Sequence, residues 1–129
     1  MSAAGGVAEV LAGLGYTNVF TTPPSALVCC EPIVLAPAGW ERESRQADEG
    51  ESGREIVRLL VCCDRAADAE ATCRAVERDL RGATWPADAD GRGRIVSVDT
   101  DMPRGMGRDG SGRWLWGFDM TCVVVRDFG

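Results

Sequence analysis

Six cysteines are the residues of this 129-residue chain best suited to metal or redox chemistry. They form two adjacent doublets and two single positions, namely Cys29, Cys30, Cys62, Cys63, Cys73 and Cys122. A zinc site built from cysteine alone requires spaced pairs, whereas neighbouring residues of a strand point to opposite faces of the sheet. The N-terminal residues Met1 to Leu14 also lack the pattern of a secretory signal. We therefore expect buried, reduced thiols without disulfides and without a bound metal.

Histidine is absent from the sequence. Its absence removes the Ser-His-Asp and Cys-His nucleophile systems and every histidine metal ligand. Cys63 is the cysteine nearest to a predicted helix start, but the adjacent carboxylate of Asp64 would raise the pKa of its thiol. We predict no catalytic residue. A cysteine-based redox protein and a small-ligand-binding α+β domain remain alternatives of a different class.

Two short motifs resemble ligand sites but lack the context that those sites need. Gly105-Met-Gly107-Arg-Asp-Gly110 matches the dinucleotide fingerprint G-x-G-x-x-G, yet a strand follows it where the fingerprint requires a helix N-terminus. Asp88-Ala-Asp90-Gly91 begins like a calcium loop, but Arg92 occupies the next ligand position. Asp99 and Asp101 have no third carboxylate or histidine close in the sequence. We predict no cofactor and no metal site.

The last predicted strand, Gly112 to Arg126, is the element that positions most of the large aromatic side chains. Its even positions form an apolar row with the period of a half-buried strand, comprising Trp114, Trp116, Phe118, Met120, Cys122 and Val124. At about 15 residues it is longer than the usual strand of roughly 3 to 10 residues. We expect it to project beyond its own sheet or to pair with different partners along its length.

A strand followed directly by a helix is the next clearest pattern. Arg54 to Cys63 is apolar on one face and partly apolar on the other, which is typical of a central strand. Asp64 is predicted to cap a helix that runs to Arg81 and ends at Gly82. One stripe of this helix is apolar or small, at Ala66, Ala69, Cys73, Val76 and Leu80. Its other side carries two favourable i,i+4 ion pairs, Glu70 with Arg74 and Glu77 with Arg81.

The remaining elements are shorter. They are a helix over Val7 to Leu14 closed by Gly15, strands within Tyr16 to Thr22, Ala26 to Leu35 and Arg94 to Thr100, and a turn at Asp109 to Gly112. Together the patterns predict a single α+β domain over residues 1–129, with a mainly antiparallel sheet and two helices packed on one face.

Residues Ala36 to Gly53 are polar and acidic, with Trp40 as their one large apolar side chain. This composition predicts a long polar loop. The loop is either a solvated connection between strands or an arm that becomes ordered against a partner, with Trp40 as its anchor.

The charge balance and hydropathy exclude two classes of partner. Twenty acidic residues against fourteen basic ones, all arginine, leave a net charge of -6. This charge disfavours nucleic-acid binding by bulk electrostatics. No apolar run approaches the about 18 residues of a membrane-spanning segment, so we expect no membrane partner.

With these residues located, the layout resembles the tail-terminator and minor capsid proteins of tailed bacteriophages and their prophage relatives. The resemblance is carried by an N-terminal helix ending in Leu-Gly, a strand leading to Pro23-Pro24, Ala-Gly39-Trp, Leu60-Val-Cys-Cys-Asp-Arg-Ala with Leu80-Arg-Gly, and Pro103-Arg-Gly-Met-Gly-Arg108-Asp109-Gly110-Ser-Gly112-Arg113 before the aromatic strand. The Arg-Asp-x-x-Gly-Arg turn is the most specific of these motifs.

The resemblance implies a structural protein without an active site. Such a protein forms a ring, typically of six subunits, that caps the tail tube and meets the head-side connector. The implied partners are copies of the chain itself, the tail tube protein and the connector, and the implied location is the host cytoplasm during assembly and then the virion. A head-closure or other neck connector protein is the alternative role. Our candidate subunit-interface residues are Trp40, Arg108, Asp109, Arg113, Trp114 and Trp116.

Overall fold

The computed structural model describes residues 3–22, 31–46, 50–85 and 93–126, with the backbone alone described at 40–46, 50–52, 93–94 and 126. Helix α1 spans Ala3–Gly13, and α2 spans Ala66–Arg81. The strands are β1 Val19–Phe20, β2 Ile33–Gln46, β3 Gly50–Cys63, β4 Gly93–Thr100, β5 Arg104–Arg108 and β6 Trp114–Arg126. This α+β architecture with a mainly antiparallel sheet confirms the predicted fold class.

The sheet has the strand order β1-β2-β3-β6-β4, with β5 also paired to β6. The pairs β2–β3, β3–β6, β4–β6 and β5–β6 are antiparallel, and the short β1 pairs parallel to β2. Strand β6 pairs with β3 along its whole length on one side. On its other side it meets β5 near Trp114 and β4 from Met120 to Arg126. The prediction that the long last strand pairs with different partners along its length is therefore confirmed.

The core lies between the sheet and the two helices, which pack on the same face. Leu59 of β3 lies opposite Leu35 of β2 and Phe118 of β6, so their side chains share that face. Both helices add buried side chains to this cluster, at Ala3, Ala4, Val7, Leu11, Ala69, Cys73, Val76 and Leu80. Burying one such leucine side chain contributes on the order of 2 kcal/mol to the free energy of folding.

Helix α2 follows the predicted pattern except at its start. Its predicted ion pairs form, with Arg74 Nε donating to Glu70 at 2.9 Å and Arg81 Nε donating to Glu77. The predicted Asp64 cap is wrong, because the N-cap residue is the extended Arg65 and makes no side-chain capping hydrogen bond. Tyr16, just beyond α1, donates a hydrogen bond of 2.6 Å to Asp79 and so links the two helices. No described helix is long and apolar enough to cross a membrane.

The predicted long loop at Ala36 to Gly53 is wrong in its secondary structure. Residues up to Gln46 belong to β2, and β3 begins at Gly50, so the segment forms most of β2 and the start of its antiparallel partner β3. Polar composition is misleading here because backbone hydrogen bonds between β2 and β3, which need no apolar side chain, stabilise the pair. Irregularities at Pro37/Gly39 and Arg42/Ser44 interrupt its register.

Three shorter elements also differ from expectation. Helix α1 begins at Ala3, four residues before the predicted start, and the strand expected over Tyr16 to Thr22 is limited to Val19–Phe20. The first half of the strand expected over Ala26 to Leu35 lies outside the described residues, which resume at Glu31, and β2 begins at Ile33. Strand β5 was not predicted, because its sequence Arg-Gly-Met-Gly-Arg lacks an alternating apolar pattern.

Candidate subunit interface

A hydrogen-bonded turn joins β5 to β6, and Asp109 is its organising residue. The Oδ1 atom of Asp109 accepts hydrogen bonds from the backbone N–H groups of Ser111 and Arg113, both at 2.9 Å. Its Oδ2 atom accepts a bond of 2.8 Å from Nε of Arg113. Gly112 adopts a φ of +81°, which favours glycine, and its N–H donates to the Asp109 carbonyl at 3.0 Å. One carboxylate thus holds both ends of the turn.

The protonation of Asp109 follows from these contacts. Partial burial acts to raise the pKa of its carboxyl, but hydrogen bonds from Arg113 and from the Ser111 backbone outweigh this effect and lower the pKa below its usual range. The carboxylate is therefore ionised at neutral pH. The paired Arg113 side chain is largely buried, so this pair serves the turn more than it serves an exposed contact surface.

Two guanidinium groups lie over the tryptophans that begin β6. The Cζ atom of Arg108 is 4.3 Å from the ring centre of Trp114, and that of Arg74 in α2 is 5.6 Å from the ring centre of Trp116. Both distances fit cation–π contacts. Gly105 lies against the other tryptophan ring, since a Cβ built there would be 3.4 Å from Trp116. These contacts attach β5 and α2 to the start of β6.

Burial divides the predicted apolar row of β6 into two parts. Phe118, Met120, Cys122 and Val124 are fully buried in the core. Trp114 and Trp116 pack against that core but remain half-buried. The row therefore leaves two amphipathic aromatic side chains at the surface near the turn, beside the exposed Arg108. Such a combination of Trp and Arg is common at the centre of protein interfaces.

Five of the six candidate interface residues, Arg108, Asp109, Arg113, Trp114 and Trp116, come together at this end of the sheet. Trp40 does not join them. Its backbone lies in β2 opposite Glu55, which in turn pairs with Cys122, eight positions along β6 from Trp114. The side chain of Trp40 lies outside the described part of the chain, so its anchor role stays a prediction.

A second charged cluster, which the sequence analysis missed, lies on the face of the sheet opposite the helices. Arg58 of β3 donates to both carboxylate oxygens of Asp119, at 2.9 and 3.3 Å. Asp101 accepts from the backbone N–H of Asp119 at 2.8 Å and from Arg104 at 3.1 Å. The hydrogen bond from Arg58 lowers the pKa of Asp119, burial opposes this change, and the positive charges of Arg58 and Arg104 add to the lowering.

No local pattern in the sequence predicts this cluster, because its members come from three segments that are brought together only by the pairing of the strands. Asp101 connects the end of β4 to β6. Its backbone N–H donates to the Asp119 carbonyl at 3.0 Å. The pairing of Arg58 with Asp119 follows directly from their opposite positions in β3 and β6.

The cysteines in the described part of the chain are buried thiols at positions 62, 63, 73 and 122. Burial raises the pKa of Cys63 to about 11, with Glu31 and Asp68 adding to the rise. Burial also raises the pKa of Cys73 and of Cys122 to about 12. The expected elevation at Cys63 is present, but its main cause is burial and not the adjacent Asp64. Cys29 and Cys30 lie outside the described residues.

Within residues 3–22, 31–46, 50–85 and 93–126, no three His, Cys, Asp or Glu side chains are grouped so that they could hold a metal ion. The aspartates at 99 and 101 are therefore not joined there by a third acidic side chain. Asp101 instead binds Arg104 and the backbone of β6.

Comparison with known proteins finds a solved structure that shares this fold over nearly the whole chain. No family model and no curated protein sequence matches the chain. Among solved structures, the chain is similar to a component of the "Virion of native gene transfer agent (GTA) particle", with a TM-score of 0.62 and 19% sequence identity. The match covers 96% of this chain and 95% of that one. At this identity the likeness establishes a common fold.

Proposed function

We propose that this chain is a non-enzymatic structural subunit of a phage-like virion, and that it forms a ring at the head-proximal end of the tail in the role of a tail terminator. The observation that carries the proposal is the fold shared with a gene transfer agent virion component over nearly the full length of both chains. The family resemblance of the Arg108 to Arg113 turn supports the same role.

The chemistry of the described side chains favours a structural role over the redox alternative. A reactive thiol needs a lowered pKa and some exposure to solvent. Cys63, Cys73 and Cys122 are buried, and burial raises the pKa of each of them. They behave as small apolar side chains of the core.

The surface near the β5–β6 turn supplies what a subunit contact needs. The guanidinium of Arg108 is exposed and lies over the half-buried Trp114, and no carboxylate among the described residues pairs with it. The Asp109–Arg113 pair holds the turn rigid, so a contact made there loses little conformational entropy. We infer that this end of the sheet contacts a neighbouring subunit or the adjoining virion protein.

The test is deletion of the gene from the phage or prophage that encodes the chain, followed by electron microscopy of the particles. We expect heads that package DNA, together with tails of uncontrolled length or tails not joined to heads. A plasmid copy of the wild-type gene should restore joined particles. Native mass spectrometry of the assembled ring should give six subunits.

Two results would count against the tail-terminator role. Particles with normal tails joined to heads, made without the chain, would exclude it. Empty or leaking heads would replace it with the head-closure role. A Leu14→Ala copy is a suitable complementation control, because Leu14 is 48% exposed at the end of α1 and away from the β5–β6 turn.

A further inference from the structure

The sheet has two open backbone edges on opposite sides of the molecule. On one side, β4 pairs with β6 and with no other strand of the described residues. On the other side, β1 covers Ile33 and Val34 of β2, and no described strand pairs with the rest of that edge. Open edges carry unpaired N–H and C=O groups that can pair with another strand.

Hydrogen-bond alternation identifies which backbone groups of these edges point outward. The N–H of Asp101 donates to Asp119 of β6, so by alternation the N–H of Asp99 also points to β6 and those of Val98 and Thr100 point away from the sheet. On the opposite edge, Ile33 N–H points outward to Asn18 O at 2.9 Å. The parallel pairing of Phe20 with Val34 also uses the outward N–H of Leu35, which faces the Phe20 carbonyl, and Pro37 has no N–H. The β4 edge therefore presents outward donors at Val98 and Thr100, and the open part of the β2 edge begins beyond Leu35.

Strand direction makes the two edges complementary to each other. The strands β2, β3, β6 and β4 alternate in direction, because each neighbouring pair is antiparallel. The edge strands β2 and β4 therefore run in opposite directions. Rotation about an axis roughly parallel to the strands preserves strand direction. A neighbouring subunit related by that rotation therefore presents its own β2 antiparallel to β4 of the first subunit. A heterologous contact of this kind forms a ring when its rotation divides a full turn evenly.

The side chains at the β4 edge also suit a covered position. Among the described residues, the exposed large apolar side chains are Leu14, Val96 and Met102, and two of these three belong to this edge. Val96 is 44% exposed at the irregularity in β4, and Met102 is 77% exposed two residues beyond the end of the strand. A groove of about 480 Å³ runs beside the edge, between it and α2, and includes Val98, Met102 and Pro103.

We propose that β4 of one subunit pairs antiparallel with the open edge of β2 of the next subunit, so that the sheets join edge to edge around the ring. The inference rests on the proposed ring function and names the surfaces that form it. The eight residues of β4 meet the longer β2, and Val96 and Met102 become covered by the neighbouring strand. The irregularities in both strands limit pairing with unrelated edges.

The first test is photo-crosslinking in assembled particles, with p-benzoylphenylalanine in place of Val96. We expect a crosslinked dimer of the chain, with the label attached to a peptide from residues 35–46 of the second copy. The matched control carries the same photoreactive residue in place of Leu14, which is 48% exposed, and should give no such dimer. A label from position 96 found on another virion protein, on a different segment of a copy, or on nothing would overturn the edge pairing.

The second test compares two changes at one residue. Thr100→Pro removes an outward N–H, whereas Thr100→Ala keeps it, and neither breaks a predicted bond to β6. Circular dichroism and thermal unfolding establish that both variants fold. We expect the proline variant to lose the ring in native mass spectrometry and the alanine variant to retain it. If a folded Thr100→Pro protein still forms the ring, β4 is not the pairing edge.

The tests separate this inference from the proposed function. If gene deletion uncouples heads from tails but the position 96 label reaches a segment other than 35–46, the terminator role stands and the edge pairing is wrong. If deletion leaves joined particles and position 96 gives no dimer, both are wrong.

Discussion

At the scale of single residues, Asp109 shows how one carboxylate specifies the conformation of a turn. It accepts two backbone N–H groups and the Nε of Arg113, so the loop conformation depends on its charge and its geometry together. The glycines in the sequence predict the turn but not this set of hydrogen bonds. Side-chain to backbone bonds depend on rotamers, which a linear pattern does not contain.

Replacement of Asp109 tests this account. Asp109→Ala should lower the free energy of unfolding by about 1 to 3 kcal/mol, because it leaves donors of the turn unsatisfied. Asp109→Asn should cost less, since an amide oxygen can still accept the two backbone bonds. The folded-state pKa is lowered, so the advantage of wild type over Asp109→Asn is present above the unfolded-state pKa and is lost as the pH falls through the folded-state value. Urea unfolding at a series of pH values measures both effects.

Asp64→Asn is the matched control for that series, because Asp64 is exposed and makes no capping bond to α2. A difference between Asp109→Asn and wild type that persisted at acid pH would contradict the charge-dependent role of Asp109.

The cysteines give a second residue-scale prediction. Unfolded protein prepared without reductant should release six titratable thiols, which is the number of cysteines in the sequence. In the native chain at pH 8, no more than two should react rapidly with a disulfide reagent, since the four described cysteines are buried. Fewer than six thiols after unfolding, or stoichiometric zinc by metal analysis, would contradict the expectation of reduced, metal-free cysteines. Rapid reaction of Cys63, located by mass spectrometry, would revive the redox alternative.

At the scale of secondary structure, the elements with a strong apolar period were predicted and the polar ones were not. The existence of α2, β3 and β6 follows from side chains that must be buried. The strand character of β2 beyond Ala36, and the whole of β5, depends on backbone pairing to strands far away in the sequence. A strand held by its neighbours can therefore have a polar or glycine-rich sequence, and single-sequence patterns miss it.

The divided row of β6 yields the prediction for this scale. Phe118→Ala should destabilise the chain by about 3 to 5 kcal/mol, because Phe118 is fully buried and its loss leaves a cavity. Trp114→Ala should cost less in thermal unfolding, because Trp114 is half-buried, but it should weaken ring assembly in native mass spectrometry. Equal loss of stability in the two variants, with assembly of Trp114→Ala unchanged, would contradict the assignment of Trp114 to the contact surface.

At the scale of the whole molecule, the two sheet edges and the helix-covered face occupy different sides of one subunit, and the β5–β6 turn lies at one end of the sheet. The two helices cover one face of the sheet, and the buried side chains between them and the sheet form a single core. Contacts to identical neighbours then remain available to the edges and to the end of the sheet near Trp114. Such a division of surfaces suits a ring component that touches neighbours laterally and other virion proteins at its ends. Sequence alone could not reveal it, because it depends on strand order.

Charge also acts at the scale of the whole molecule, and it predicts that the chain does not bind DNA. The net charge is -6, and several arginines are already engaged, with Arg58 bound to Asp119, Arg74 to Glu70 and Arg104 to Asp101. Binding to duplex DNA requires cations that displace condensed counterions, and an acidic surface repels the phosphates. Fluorescence anisotropy with a labelled duplex should show no binding at 50 mM salt, where electrostatic attraction is strongest. A salt-dependent affinity tighter than about 1 µM at 150 mM salt would contradict this expectation and would indicate a direct contact with the packaged genome.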